Sequence, residues 1–444
     1  MKHFRHLLLS ALASANVAAV AQNSDITSFF DKAIKGDSVY YAPRKNKAVK
    51  DITRTQNEVW KQWCAAVQAD DQPLIKLDSL SASSKGQWQV PESLEPHALL
   101  NYYYGSKGAR PASGYPLFIY LHGSGPRAQE WATGLALAHR FQDSPSVYFI
   151  PQIPQEGEWY RWYQRSKQWF LERLLRRVMA DTTFNADRIY LFGISEGGYG
   201  SQRLASFYAD YLAAAGPMAG GEPLKNAPAE NLRNTPFSLR TGAEDYGFYR
   251  NYLTRLTLAA LDSLGRLNSG EYHHWVNLEP KRGHAIDYTK TPTWLAQWTR
   301  RAQNKSVSWE DFEMDGRHRR GFANLQILTR PTDAERTRYE ERIADNKVSI
   351  SVQAVDYQAV ETDPQWGIQL RFSRTYRPAT NGRFVVYLSP ELIDPAKPVR
   401  IEVNGKVVYD KKLAASTAAI VNSTACYGDP RRIYPYAVEV ELGK

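Results

Sequence analysis

Residues 188–198, RIYLFGISEGG, place a serine between glycines directly after a short apolar run. Residues 189–192 have the composition of a buried strand, and an amphipathic stretch begins at about Gly198. A turn this short between a strand and a helix leaves room only for glycine on either side of Ser195. The stretch therefore predicts a strand, a tight turn and a helix, with the hydroxyl of Ser195 exposed at the carboxyl end of the strand.

Short apolar runs alternate with amphipathic stretches from about residue 86 to residue 300. The apolar runs include YPLFIYLHG, SVYFIPQ, FSLRTG and HHWVNLE, and the amphipathic stretches include QWFLERLLRRVMAD and YRNYLTRLTLAALDSL. Strand and helix in alternation are typical of a parallel sheet connected by crossover helices. Residues 86–303 are therefore predicted to form an α/β domain, with a mostly parallel sheet and helices on both faces.

The regions before and after this domain have different patterns. Residues 22–85 are predicted to be mostly helical and to pack against the main domain, with four apolar residues near one helix face: Ile52, Val59, Trp63 and Val67. Residues 304–444 contain alternating runs such as KVSISVQAV and GRFVVYLS, and Asn404-Gly405 is a hairpin signal. They are predicted to form an all-β, sandwich-like domain, reached through a junction with a short helix near residues 334–343.

The first 21 residues have the pattern of a cleaved secretory signal peptide. A basic start precedes an apolar middle, and small residues at Ala19 and Ala21 precede Gln22. A membrane anchor is the alternative, but polar residues interrupt the apolar stretch, which is shorter than the ~20 residues of a spanning helix. The mature chain, without a transmembrane segment, is therefore predicted to be secreted or periplasmic.

The formal net charge is +10, but Lys and Arg are interleaved with acids along the chain. This pattern is typical of a solvated surface, so no nucleic-acid partner is predicted, although an acidic sugar polymer remains a candidate substrate. Cys64 and Cys426 are the only cysteines. They either form one disulfide or are two separate thiols, and neither has the spacing of a metal ligand. The sequence indicates no oligomeric state.

Ser195 requires a base and an acid before it becomes an effective nucleophile, and later loops supply both in the order serine, acid, histidine. Glu244 and Asp245 follow the strand FSLR, and His284 follows the strand HHWVNLE. Asp245 is favoured over Glu244 because a Gly-x-x-Asp turn suits the shorter side chain, although Asp245 also fits a helix cap. His273 and His274 are the alternative bases, but they lie within the predicted strand.

An acyl transfer also needs donors for the developing oxyanion. The backbone N–H of Glu196 is one candidate, and the run HGSG after the strand PLFIYL supplies another from Ser124 or Gly123. His122 is interpreted as a structural residue that anchors this loop.

The motifs HGSG, GISEGGYGS, the Gly-x-x-Asp turn and GHAID together resemble the α/β-hydrolase superfamily. Secreted esterases related to polyhydroxybutyrate depolymerases and to feruloyl and acetylxylan esterases are the most similar group. The resemblance covers about residues 86–303 and implies a Ser-His-Asp serine esterase with neither metal nor organic cofactor. It implies an ester substrate that is a small molecule or is linked to polysaccharide.

Two other functions stay open at the level of sequence. One is a secreted serine peptidase with the same triad, and the other is a catalytically idle glycan-binding protein. Trp159 and Trp162, on a loop between a strand and a helix, are equally consistent with substrate binding and with local core packing. The C-terminal region is expected to have a structural role, because its strands show no row of exposed aromatic residues.

Overall fold

The computed structural model describes residues 25–36, 40–42 and 49–443. The predicted signal peptide, residues 1–21, lies outside the described residues. Across the part of the chain that is described, no helix has both the length and the apolar character needed to cross a membrane.

The centre of the molecule is an eight-stranded sheet with the strand order β1-β2-β4-β3-β5-β6-β7-β8. The first two strands pair antiparallel, β2 is antiparallel to β4, and the remaining neighbours are parallel. The strands are β1 Lys85–Gln89, β2 Leu99–Lys107, β3 Tyr115–Leu121, β4 Ser146–Pro151, β5 Phe184–Ile194, β6 Ala214–Met218, β7 Phe237–Gly242 and β8 His274–Glu279.

Helices cover both faces of this sheet, because successive side chains of each buried strand point to opposite sides. One face packs against α4 (Arg165–Met179), α5 (Glu196–Phe207) and α6 (Arg250–Leu267). The other packs against α3 (Arg127–Arg140) and α7 (Lys290–Leu295). The arrangement confirms the predicted α/β-hydrolase fold.

Two further sheets form a sandwich in the C-terminal region. One has the order β10-β11-β15-β18, and the other has the order β17-β16-β13-β12-β9 with β14 paired to β13. Aromatic rings join them, as where Tyr339 of β12 meets Phe384 of β15 at 5.6 Å between centroids. The strands are β9 Ser306–Asp311, β10 Gly321–Phe322, β11 Leu325–Thr329, β12 Arg336–Ala344, β13 Lys347–Thr362, β14 Gln369–Pro378, β15 Arg383–Leu388, β16 Val399–Val403, β17 Lys406–Lys411 and β18 Tyr436–Glu441.

The short helix predicted near residues 334–343 is wrong, because this segment is strand β12. It pairs antiparallel with β13 on one side and with β9 on the other. Tyr339 and Ile343 point into the sandwich core, and this burial decides the conformation. The predicted hairpin at Asn404-Gly405 is confirmed, and both residues have positive φ, as a two-residue turn between antiparallel strands requires.

The N-terminal segment packs mainly against a helix of the C-terminal region rather than against the central sheet. Helix α1 covers residues 25–34, and α2 (Ile52–Gln68) buries Trp63 beside Ile420 of α8 (Thr417–Tyr427). Helix α8 has no sequence signal, because TAAIVNSTACY is small or apolar on nearly every face and shows no helical period. The C-terminal region therefore contains one helix among its strands.

Buried ion pairs join the sheet region to the sandwich. Asp429 accepts a hydrogen bond of 2.8 Å from Arg300, and Asp210 accepts one of 2.9 Å from Arg319. Arg432 contacts both aspartates, and the five side chains are almost fully excluded from solvent. Breaking one such buried pair leaves an uncompensated charge, so these contacts fix how the two regions meet. The predicted domain boundaries stay a prediction.

Candidate active site

Ser195 stands between β5, which ends at Ile194, and α5, which begins at Glu196. We call residues 193–198 the elbow. Ser195 has φ 57° and ψ −114°, a conformation that non-glycine residues rarely adopt. A Cβ atom at Gly193 would overlap the carbonyl of Gly197, and one at Gly197 would overlap the carbonyl of Leu121. Only glycine at these two positions allows the strand and the helix to approach so closely.

The loop after β3 lies directly beside the elbow. A Cβ atom placed on Gly123 would lie 3.5 Å from the Cβ of Ser195, and the side chain of Ser124 lines the same cleft as Ser195. Glu196 is the first residue of α5, so its N–H has no acceptor within the helix. The three residues predicted to supply the oxyanion donors therefore lie beside Ser195 or line the same cleft.

His122 anchors this loop from below. Its Nε2 accepts a hydrogen bond of 3.1 Å from the backbone of Ile153, and its Nδ1 lies 2.7 Å from the carbonyl oxygen of Gly123. Complete burial lowers the pKa of His122 to about 4, so the ring is neutral at physiological pH. The position agrees with the structural role inferred from the sequence.

The three residues predicted as a triad form one chain of hydrogen bonds. His284 Nε2 lies 3.0 Å from Ser195 Oγ, and His284 Nδ1 lies 2.8 Å from Asp245 Oδ2. The carboxylate of Asp245 is buried, whereas Glu244 is exposed and does not contact the histidine. This order of atoms matches the path by which a serine proton is taken up and a carboxylate orients the base.

The two alternative histidines lie elsewhere. His273 stacks on Trp298 with ring centroids 5.1 Å apart, and His274 contacts Asp262 at 3.1 Å. Both are at the start of β8, whereas His284 follows the carboxyl end of that strand. The structure therefore does not bring His273 or His274 to Ser195.

Arg250, for which no sequence motif indicates a role, holds the carboxylate oxygen of Asp245 that does not bind His284. Its Nε and Nη2 donate hydrogen bonds of 2.8 and 2.6 Å to Asp245 Oδ1, and its Nη1 lies 3.3 Å from the hydroxyl of Tyr199. Burial alone would raise the pKa of Asp245, but the hydrogen bonds from His284 and Arg250 bring it below its usual value. Asp245 is therefore held as the carboxylate. We call residues 243–249 the acid loop.

The side chain of Glu196 is a second feature without a sequence signal. Burial raises its pKa to about 7, and the opposing charge of Arg161, 3.6 Å from its Oε2, only partly offsets this. Within the described part of the chain its Oε1 has no hydrogen-bond partner. An ionisable group with a pKa in the neutral range therefore lies on the residue that follows Ser195, at the same cleft.

A cleft of about 630 Å³ opens beside Ser195. Helix α5 lines one side, residues within 221–226 and 248–253 line another, and the β13–β14 hairpin of the sandwich lines a third. From the sandwich the lining residues are Gly367, Ile368, Gln369 and Phe372. The C-terminal region thus contributes directly to the space around the candidate nucleophile, whereas the sequence indicated only a structural role.

Neither Trp159 nor Trp162 is among the residues that line this cleft. Trp162 is fully buried, and its indole N–H donates a hydrogen bond of 2.9 Å to the carbonyl of His122. Trp159 is half-buried beside Lys167. The local-core alternative therefore describes Trp162, while Tyr163 and Arg161 of the same loop face the cleft.

Cys64 and Cys426 are free thiols, and burial raises the pKa of both to about 11. Within residues 25–36, 40–42 and 49–443 there is no group of three or more His, Cys, Asp or Glu side chains arranged to bind a metal ion.

No family model and no curated protein matches the chain. Among solved structures, a thermostable esterase is 21% identical with a TM-score of 0.40, and the alignment covers 49% of this chain and 62% of that one. The chain thus spans less than two thirds of that esterase. A ferulic acid esterase is 14% identical over 48% and 96% of the two chains, with a TM-score of 0.36. Another, from the anaerobic fungus Anaeromyces mucronatus, is 13% identical over 51% and 94%, with a TM-score of 0.35.

Proposed function

We propose that this chain is a secreted serine hydrolase that cleaves carboxylic esters through an acyl-enzyme. Ser195 is the nucleophile, His284 is the general base and acid, and Asp245 orients the histidine. The observation that carries the proposal is the hydrogen-bonded series from Ser195 Oγ through His284 to Asp245, at an elbow that opens on a cleft. Export rests on the signal-peptide pattern of residues 1–21.

The first half of the reaction makes a covalent intermediate. Ser195 Oγ attacks the carbonyl carbon of the ester while His284 Nε2 takes its proton, and the carbonyl oxygen becomes an oxyanion. The backbone N–H groups of Glu196 and of Ser124 or Gly123 donate hydrogen bonds to that oxyanion. His284 then returns the proton to the alcohol oxygen as the carbon–oxygen bond breaks, which leaves the acyl group on Ser195.

The second half releases the acid. A water molecule gives a proton to His284 and attacks the acyl carbonyl, and collapse of the second tetrahedral intermediate restores the serine hydroxyl. Throughout, the ionised Asp245 stabilises the imidazolium form of the histidine. Because the pKa of Asp245 is held low by His284 and Arg250, this carboxylate keeps its charge in mildly acidic conditions.

For the substrate, we propose acyl or feruloyl groups on polysaccharide-derived molecules. This choice rests on the motif resemblance to feruloyl and acetylxylan esterases and on a cleft volume within the range of about 300–1,000 Å³ that is typical of small-molecule sites.

The test is a panel of p-nitrophenyl acetate, methyl ferulate, acetylated xylan and a peptide p-nitroanilide, assayed with wild type and Ser195→Ala. We expect ester turnover by wild type, at least about a thousandfold loss in Ser195→Ala, and labelling of Ser195 by a fluorophosphonate. Turnover of the anilide in preference to the esters would indicate a peptidase. If wild type cleaves no ester and the probe does not label Ser195, the proposed function is wrong.

A further inference from the structure

The sandwich extends a two-stranded ribbon toward the candidate active site. Strand β12 pairs with β13 only as far as Val355, and from residue 356 onward β14 is the partner of β13 in the described chain. We call residues 356–375 the hairpin arm. A two-stranded ribbon alone is marginally stable in water, so its conformation depends on what it packs against.

The tip of the hairpin arm is fastened to the segment that follows Asp245. The hydroxyl of Tyr249 donates a hydrogen bond of 2.6 Å to Asp363, and the hydroxyl of Tyr252 donates one of 2.8 Å to Glu361. The rings of Phe248 and Trp366 meet at 5.1 Å. Because Phe248 lines the cleft, these contacts hold the arm at the cleft rather than in free solvent.

The base of the hairpin arm is fixed by a second set of contacts. Arg374 donates a hydrogen bond of 2.6 Å to Glu230, which is buried in the sheet region. The ring of Phe372 meets that of Tyr357 edge to face at 5.7 Å, and Lys225 lies 5.9 Å from the centroid of Phe372. Both ends of the arm are therefore attached to the sheet region, with the cleft-lining side chains between them.

These side chains combine apolar and amide surface. Ile368 and Phe372 present apolar surface to the cleft, and Gln369 is an exposed amide. The side-chain amide of Asn226, which also lines the cleft, donates a hydrogen bond of 2.9 Å to Glu222. An apolar wall with a few amide groups suits a ring whose faces are apolar and whose edge carries hydroxyl groups.

We propose that the cleft side of the hairpin arm is a distal subsite, which binds a hydroxylated ring in the part of the ester remote from the bond that Ser195 attacks. The inference rests on the proposed function and assigns its selectivity to the C-terminal region. Two groups share this chemistry, namely a glycosyl ring on the alcohol side and a phenolic ring on the acyl side. A cleft of about 630 Å³ accommodates either, whereas an acetyl group fills only a small part of it.

The experiment measures kcat/KM in two substrate pairs for wild type, Phe372→Ala and Gln369→Ala. The glycosyl pair is methyl ferulate and ferulic acid esterified to an arabinoxylan trisaccharide. The phenolic pair is p-nitrophenyl acetate and p-nitrophenyl ferulate. Val360→Ala is the matched control, because Val360 is an exposed apolar residue of the same arm that does not line the cleft. Melting temperatures are recorded for every variant.

In at least one pair, we expect Phe372→Ala to lose about tenfold more kcat/KM on the larger ester than on the smaller one, with a smaller loss in the same pair for Gln369→Ala. The pair that responds identifies the ring as glycosyl or phenolic, and Val360→Ala is expected to match wild type on all four esters. Equal losses on both members of each pair, or no loss in either pair, would overturn the distal subsite while leaving the esterase proposal intact. Failure of wild type on p-nitrophenyl acetate and on the other three esters would instead remove both.

Discussion

The elbow and the acid loop hold the two ends of the candidate triad by different means. At the elbow, Ser195 is positioned by backbone packing, since Gly193 and Gly197 lie against carbonyl groups with no space for a Cβ atom. At the acid loop, Asp245 is positioned by side chains, chiefly His284 and Arg250. The position of Ser195 thus depends on backbone groups that are close in sequence or in the sheet. The position of Asp245 depends on the side chains that bind its carboxylate.

The elbow and the acid loop should therefore respond differently to substitution. A backbone arrangement without free space responds to added volume by losing stability, because a close-packed interior cannot yield locally. A buried carboxylate held by hydrogen bonds responds to a lost partner by changing its pKa and orientation. We therefore expect changes at the elbow to affect stability first, and changes at the acid loop to affect turnover first.

The largest effect is expected for Asp245→Asn, which removes the carboxylate but keeps the shape of the side chain. Turnover should fall about 10⁴-fold, because the amide leaves the histidine in the wrong tautomer and does not stabilise the imidazolium. The measurement is kcat on p-nitrophenyl acetate. Glu244→Gln is the control, and its activity should stay within about twofold of wild type, since Glu244 is exposed and away from His284. The opposite ranking would make Glu244 the acid.

Gly197→Ala should have the next largest effect, now on stability. The added methyl group would overlap the carbonyl of Leu121, so we expect the free energy of unfolding to fall by about 3 kcal/mol or more, as urea denaturation measures. The control is Gly265→Ala within α6, where the nearest atom to the new Cβ is 3.9 Å away. That change should be neutral or stabilise by up to about 1 kcal/mol. Equal stability of the two variants would contradict a backbone-determined elbow.

The protein should also lose stability in acid because of His122, which anchors the loop beside the elbow. Its folded pKa of about 4 lies below its ordinary value of 6.5, so between these values the unfolded chain binds a proton that the folded chain does not. The stability that comes from burying the neutral ring of His122 is fully present above pH 6.5. It is lost as the pH falls toward 4, and the free energy of unfolding should decrease by up to about 3 kcal/mol over this range. Urea denaturation of wild type and His122→Gln across this range tests it. Parallel curves for the two proteins would argue against a buried neutral histidine.

The smallest effect is expected for Arg250→Met in the acid-loop region. We expect kcat/KM to fall about 10- to 100-fold, which is the range typical when a group that orients a functional side chain is removed. Without Arg250 the pKa of Asp245 rises, so the loss in kcat/KM should be greater in mildly acidic buffer than in neutral buffer. Arg255→Met, an exposed position of the same helix, is the control. A loss of the same size in both buffers would show that Arg250 does not set the charge of Asp245.

The elbow and its fold could be predicted from the sequence because their determinants are local. The glycines around Ser195 state the geometry directly, and the alternation of apolar and amphipathic stretches indicates the parallel sheet. The sequence was also enough to predict that Asp245 and His284 lie close together. Each follows a strand of the parallel sheet, and parallel strands end at the same edge.

The rest depends on contacts between residues distant in sequence. Nothing distinguishes Arg250 from other arginines until the acid loop folds around it. The contact between Tyr249 and Asp363 joins positions more than 100 residues apart, so the reach of the hairpin arm has no local signal. Trp162 points into the core rather than into the cleft, and β12 is a strand rather than a helix. Both outcomes are decided by burial against other elements rather than by periodicity.

Ser195 should carry the acyl group during turnover, and acid-quenched mass spectrometry detects that intermediate. Wild type mixed with excess p-nitrophenyl acetate and quenched during turnover should yield a peptide in which Ser195 has gained one acetyl group. Ser195→Ala treated in the same way should yield no acetylated peptide from the elbow. Turnover by wild type with no adduct on Ser195, or with the acyl group on a different side chain, would show that Ser195 is not the nucleophile.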